Sequence, residues 1–191
     1  MVKVISISGV DGTGKSTQIE LLRKHFESKK MKCYYFHAVH FSLPNKFSKA
    51  TTTTESVSHK TSASPTTILL RKVFLIIDLW RYKQLLRKLD RNGYDYVLSD
   101  RYYFDNLVNL VYLGADKKIL KKKLPATYRS FYLDADPDKI MSRDRPPEQG
   151  KQYLIDKQRV FQGLLQHHNL EIINANRTPE KIHQEILKQC A

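Results

Sequence analysis

Apolar and polar positions in this chain alternate between two periods. "KVISIS" (3–8) is rich in Val and Ile and predicts a first strand. From Ser16 to Ser28 the apolar residues Ile19, Leu22 and Phe26 recur at spacings of three and four, which predicts a helix. "KCYYFHAVHF" (32–41) reads as a second strand. A long helical pattern runs from Thr67 to about Asn92, where Gly93 stops it. "YDYVLSD" (94–100) and "RSFYLDAD" (129–136) predict a third and a fourth strand. "PDKIMSRD" opens a helix with Pro137 near its first turn, and Lys151 to His168 is helical. "LEIINA" (170–175) is a fifth strand, and "TPEKIHQEILKQC" closes the chain as an amphipathic helix capped by Thr178. Strands separated by helices imply right-handed crossovers and a parallel sheet, hence an α/β fold. Ligands of such sheets bind beyond the carboxyl ends of the strands. The turn after the first strand and the acid ending the third, Asp100, therefore share one crevice.

One stretch departs from this alternation. "SKATTTTESVSHKTSASPTT" (48–67) is mostly Ser and Thr and has little apolar content to offset its ordering entropy, so a mobile loop bordering the site is expected there. Nothing else marks a boundary, and 191 residues suit one domain with a substantial core. Apolar residues make up 41% and aromatics 10%, far from a disordered composition. No apolar run approaches the roughly 18 residues of a membrane span. Met1 to Ser8 leads straight into a glycine-rich turn and reads as a strand, not a signal peptide. Two distant cysteines, Cys33 and Cys190, form neither a disulfide framework nor a metal cluster, which favours a reducing cytoplasm. The seven histidines follow no ligand spacing.

A net charge of +14 attracts polyanions in general. Its local excess, "DKKILKKKL" (116–124), lacks the interleaved aromatics of a nucleic-acid footprint and reads as a solvated face or connector.

The chemistry concentrates in "GVDGTGKST" (9–17), which fits G-x-x-x-x-G-K-[ST] through Gly9, Gly14, Lys15 and Ser16. The motif lies between a strand and a helix, where its mechanism requires it. Backbone N–H groups from Gly12 through Thr13 to Thr17 would form a nest for the β-phosphate of ATP, helped by the helix N-terminus. Lys15 would span the β- and γ-phosphates, and Ser16 would place its hydroxyl on Mg²⁺.

Four further segments extend the pattern: Asp11 inside the loop, "SDRYY" (99–103), "RSFYLDADPDKIMSRDR" (129–145) and "INANRTPEKIHQEI" (173–186). In this order and spacing the chain resembles the thymidylate kinase family of nucleoside monophosphate kinases, over most of its length and least from 36 to 70. The resemblance implies a three-layer P-loop kinase fold with a five-stranded parallel sheet flanked by helices. It implies the reaction ATP plus dTMP giving ADP plus dTDP, Mg²⁺ as cofactor, and a homodimer formed through helix packing. Asp11 resembles the loop carboxylate that accepts a hydrogen bond from the acceptor's 3′-hydroxyl. Asp100 resembles the acid that acts on Mg²⁺ through water, and Arg101 the arginine that grips the acceptor phosphate. Phe74 resembles the aromatic that stacks on the acceptor base, and Asn106 falls where some members contact that base. Tyr102 belongs to the same acceptor run. Arg143 and Arg145 sit in the lid, about 143–152. Some members carry an arginine within the phosphate loop. Here that position is Gly12, so the lid must supply the positive charge.

Each residue also has a structural alternative: an Asp100–Arg101 pair, ordinary surface charge at Arg143 and Arg145, plain core at Phe74. Three departures concern the acceptor. No arginine follows the second strand until Arg71. Asp78 stands four residues after Phe74, where the family carries an arginine, and Arg81 lies nearly one turn further. Asp105 occupies a position where serine is common. A thymidylate kinase is the leading expectation. A related kinase with another nucleotide, nucleoside or small phosphorylated acceptor is the alternative, and a non-catalytic nucleotide-binding module the second alternative.

Overall fold

The computed structural model describes residues 1–41 and 63–190. Five parallel strands form one sheet in the order β2-β3-β1-β4-β5: β1 (Lys3–Ser8), β2 (Cys33–Phe36), β3 (Tyr96–Asp100), β4 (Arg129–Asp134) and β5 (Glu171–Asn174). After Lys3 the central strand β1 is buried at every position, as expected where helices cover both faces of a parallel sheet. Within the sheet Ser6 Oγ lies 2.8 Å from Ser130 Oγ, so these two buried hydroxyls satisfy each other.

Helix α1 (Lys15–Ser28) buries Gln18, Ile19, Leu22 and Phe26, and Phe26 stacks on Tyr96 of β3 at 4.2 Å. The C-terminal helix α7 (Pro179–Cys190) packs along α1, and Gln18 Nε2 donates to Pro179 O at 2.9 Å. Helices α4 (Tyr103–Tyr112) and α6 (Gly150–Leu165) pack on each other, and Phe161 of α6 meets Tyr132 of β4. Two short helices, α2 (Ala38–Phe41) and α5 (Pro137–Met141), follow β2 and β4. The lysine-rich connector holds a 3₁₀ turn, Lys117–Lys121, capped by Asp116. The 27-residue α3 (Pro65–Arg91) joins the two halves of the chain.

Several sequence expectations are corrected. The second strand ends at Phe36, not residue 41, because Ala38 N donates to Arg101 O and the chain turns into α2. The long helix begins at Pro65, two residues before Thr67: Ser64 Oγ accepts from Thr67 N and Pro65 fills the first turn. The expected loop 48–67 therefore loses its last three residues to α3, and the rest of it lies, but for Ala63 and Ser64, outside the described residues. Helix α4 was not anticipated, being only ten residues long with Tyr102 in place of a usual cap. Asp105 supplies the cap by reaching back to Tyr102 N at 3.2 Å. The penultimate helix ends at Leu165, three residues before His168.

Helices α3 and α4 are tied at a buried point, where the Tyr103 hydroxyl donates to Asp78 O at 3.0 Å. Tyr103→Phe deletes that one bond without changing the ring packing. Its unfolding free energy should fall by about 1 kcal/mol, measured by urea denaturation.

Candidate active site

The turn between β1 and α1 is shaped by close approach. Gly9 has φ of 149°, and a Cβ there would lie 2.8 Å from Leu133 O. Gly12 has φ of 81°, and a Cβ there would lie 2.6 Å from Ile140 Cγ2. No side chain fits at Gly12 without moving α5, so an arginine cannot occupy this loop position as it stands. Thr13 Oγ1 donates to Val10 O at 3.0 Å and braces the turn.

Lys15 opens α1 from a buried position, its ammonium donating to Val10 O at 2.6 Å. Burial, with Arg101 nearby, lowers its pKa to about 8, against the opposing pull of Asp105, Asp11 and Asp100. Next to it Ser16 Oγ donates to Asp100 Oδ2. The register of the sheet makes this contact, since Ile7 of β1 pairs with Asp100 of β3.

Arg101 follows with φ of 62°, a left-handed conformation uncommon outside glycine. Three hydrogen bonds hold it: Arg101 N to Ile7 O, Ser99 Oγ to Arg101 O, and Ala38 N to Arg101 O. So aimed, its guanidinium pairs with Asp11 and lies 3.8 Å from Asp105. Burial would raise the Asp11 pKa. Arg101, Lys15, Lys157 and the Tyr153 hydroxyl outweigh it and hold Asp11 well below the usual carboxylate range. The Tyr153 hydroxyl donates to Asp11 Oδ2 at 2.8 Å. Asp105, fully enclosed, has its pKa raised by burial against the pull of Arg101 and Lys15.

A cavity of about 1000 Å³ opens here, lined by Asp11, Gly12, Gly14, Lys15, Ser16 and Thr17 on one side and by Asp100, Arg101, Arg143 and Arg145 on the other. Arg143 reaches across to donate to Gly12 O and, at 3.3 Å, to Ala175 O. The phosphate loop, the strand-end pair and the two arginines after α5 thus line one cavity.

Of the expected acceptor residues, Asp11 and Arg101 line this cavity and the others do not. Phe74 is half-buried on α3 and Asn106 half-buried on α4. Tyr102 is turned into the core, its hydroxyl donating to Pro125 O at 2.9 Å. Asp78 is fully buried and takes a 2.8 Å bond from Arg81, whose guanidinium also donates to Phe41 O and lies 4.3 Å from the Phe41 ring centroid. Asp78 therefore faces neither open solvent nor the phosphate cavity.

Four side chains of the site were not singled out from sequence: His37 and Asp144, which line the cavity, and Tyr153 and Lys157 of α6. Lys157 had a signal. It falls in register with the buried Leu154, Phe161 and Leu164, a lysine where the helical stripe asks for an apolar residue.

The donor set at Ser16 and Asp100 is a hydroxyl and a carboxylate, hard oxygens suited to Mg²⁺ completed by substrate phosphates and water. Among the described residues no cluster of three or more His, Cys, Asp or Glu forms an all-protein metal cage.

The thymidylate kinase of Francisella philomiragia is 28% identical over 207 aligned residues, covering 97% of this chain and 96% of its own. The fold is similar to that of the thymidylate kinase of Ehrlichia chaffeensis, with a TM-score of 0.65 at 15% identity over all of this chain and 99% of that one. It is also similar to that of the Candida albicans thymidylate kinase, with a TM-score of 0.62 at 17% identity over 98% and 90% of the two chains. The family model for thymidylate kinase matches residues 7–186, and the chain belongs to the thymidylate kinase family.

Proposed function

We propose that this protein transfers the γ-phosphate of ATP to dTMP, giving ADP and dTDP. The observation that carries the reading is the shared cavity in which Lys15 and Ser16 face Asp100, Arg101, Arg143 and Arg145. Phosphoryl transfer needs two polyanions held in line and positive charge that follows the moving group. The backbone of residues 12–17 and Lys15 hold the donor. Arg101 leaves Asp11 to grip the acceptor phosphate, and Asp11 then accepts from the acceptor's 3′-hydroxyl. An acceptor phosphate oxygen attacks the γ-phosphorus, the bond to the β–γ bridging oxygen breaks, and ADP departs with that electron pair. Arg143 and Arg145, on a lid spanning about 143–152, neutralise charge on the transferring group. Ser16 and Asp100 would hold Mg²⁺, Asp100 through water, and the ion would supply charge neutralisation on the donor phosphates.

In the acceptor pocket we assign Phe74 to the base, with Arg81, Asp78, Tyr102 and Asn106 behind or beside it. The burial of Asp78 against Arg81 makes Asp78 an orienting group for that arginine. A second copy of this chain is the proposed partner, because α3 exposes Leu69, Leu70, Val73, Ile76, Ile77 and Trp80, most of them along one face. A cytoplasmic location fits two free thiols, Cys33 and Cys190, and the lack among the described residues of any helix long and apolar enough to cross a membrane.

Purified protein given Mg-ATP and a panel of nucleoside monophosphates should form dTDP from dTMP. Lys15→Ala should lose about 3 kcal/mol of transition-state stabilisation, a hundredfold or more in kcat. Phosphorylation of dCMP or of a non-nucleotide acceptor, with dTMP ignored, would remove the thymidylate assignment.

Arg143→Ala and Arg145→Ala should each lower kcat while leaving ATP affinity nearly intact, since a lid arginine acts chiefly on the transition state. Steady-state kinetics beside ATP titration checks this. Normal turnover in both variants would place the charge elsewhere.

Trp80→Glu sets a charge at the C-terminal end of the exposed stripe. By analytical ultracentrifugation the wild-type chain should sediment as a dimer and the variant as a monomer. A monomeric wild type would overturn the proposed assembly.

A further inference from the structure

Among the described residues two lysines are buried, Lys15 and Lys157. The phosphate donor accounts for the first. Lys157 has no donor phosphate to meet, since it does not line the phosphate cavity. It emerges from α6 among Leu154, Phe161 and Leu164, where an ammonium is costly to enclose. A buried cation at an apolar position needs a compensating anion, and the acids whose charge favours the ammonium are Asp11 and Asp105.

The surroundings are specific. The Lys157 ammonium lies 4.6 Å from the Tyr153 ring centroid and 5.8 Å from that of Tyr112. The same Tyr153 donates its hydroxyl to Asp11. Lys157 and Tyr153 thus back the carboxylate that Arg101 holds from the cavity side. Burial, then Arg101, lower the lysine's pKa to about 8 while Asp11 and Asp105 raise it, so at neutral pH it remains mostly charged.

Arg101 is asked to serve two partners in turn. In this structure its guanidinium is engaged by Asp11 and approached by Asp105 at 3.8 Å. During turnover it must present its planar fork to a phosphate, and a bidentate contact of that kind leaves little of the fork for a carboxylate. Once it turns, Asp11 and Asp105 lose their nearest cation. Lys15 is then occupied by the donor. Lys157 is the remaining buried cation beside the two acids.

We propose that Lys157 is a positioning residue for the acceptor, holding the charge of Asp11 when Arg101 leaves it for the acceptor phosphate. The proposal rests on the roles given above to Asp11 and Arg101. Without the lysine, Arg101 is the principal counter-ion of Asp11, and the acceptor phosphate has to compete with a tighter pair. The loss falls on the acceptor and spares the donor.

The test is a double-mutant cycle on acceptor kinetics. Lys157→Met should raise KM for the acceptor about tenfold or more, with KM for ATP within about twofold of wild type. Lys157→Arg, which keeps a cation, should recover most of the difference. In the Asp11→Asn background, Lys157→Met should shift the acceptor KM by less than about twofold, because the charge at Asp11 is already gone. Three results would each overturn the proposal: an unchanged acceptor KM in Lys157→Met, the same-fold rise whether Asp11 is intact or replaced by asparagine, or an equal rise for ATP. Unchanged ATP kinetics report an intact fold. If the Met variant does not accumulate, Lys157→Gln, also neutral, is held to the same criteria. Wild-type turnover of dTMP is scored separately. If the wild type takes another monophosphate, the cycle is run on that acceptor, since Arg101 grips phosphate and not base.

Discussion

The site is organised by the need to cancel charge where little water reaches. Three carboxylates, Asp11, Asp100 and Asp105, meet three cations, Lys15, Arg101 and Lys157, and all but Asp11 and Arg101 are buried. An uncompensated charge in such a place costs several kcal/mol, so the positions of these six groups are mutually dependent. The backbone is bent to satisfy them. Arg101 keeps a left-handed conformation that its own side chain disfavours, and the bonds from Ile7, Ser99 and Ala38 hold it there. The pairing of β1 with β3 therefore matters to chemistry as well as to stability. A one-residue slip would separate Ser16 from Asp100 and Arg101 from Asp11 together.

The two halves of the site are built differently. The donor half is made of backbone and short side chains, braced by Thr13 and by the contact of Ser16 with Asp100. Little has to move before phosphates arrive. The acceptor half is made of long side chains already engaged with one another: Arg101 with Asp11, Arg81 with Asp78 and Phe41. Arg143 is engaged too, resting on Gly12 O where no loop side chain intervenes. On the proposed reading, the acceptor phosphate displaces Asp11 from Arg101, which couples acceptor binding to rearrangement of charge.

How much was legible in the sequence follows from how local each feature is. The phosphate loop was readable because its signature is local: glycines, a lysine and a serine at fixed offsets between a strand and a helix. The strands were readable from apolar runs, and the parallel order from their alternation with helices. The strand end marked Asp100, the family resemblance marked Arg101, Arg143 and Arg145, and the fold brings all four to one cavity. Contacts between distant segments decided the rest. β2 stops early because Arg101 O captures Ala38 N. Tyr102 carries no mark in sequence that its hydroxyl goes to Pro125. Lys157 did carry one, an ammonium in an apolar stripe, yet its meaning depends on Asp11, which lies 146 residues earlier in the chain. Periodicity and motif spacing report what a residue needs from its own turn or strand. Which buried charges face one another is fixed only when the sheet and its covering helices bring them into one dry volume, where the electrostatic energy depends on separation in space and not along the chain.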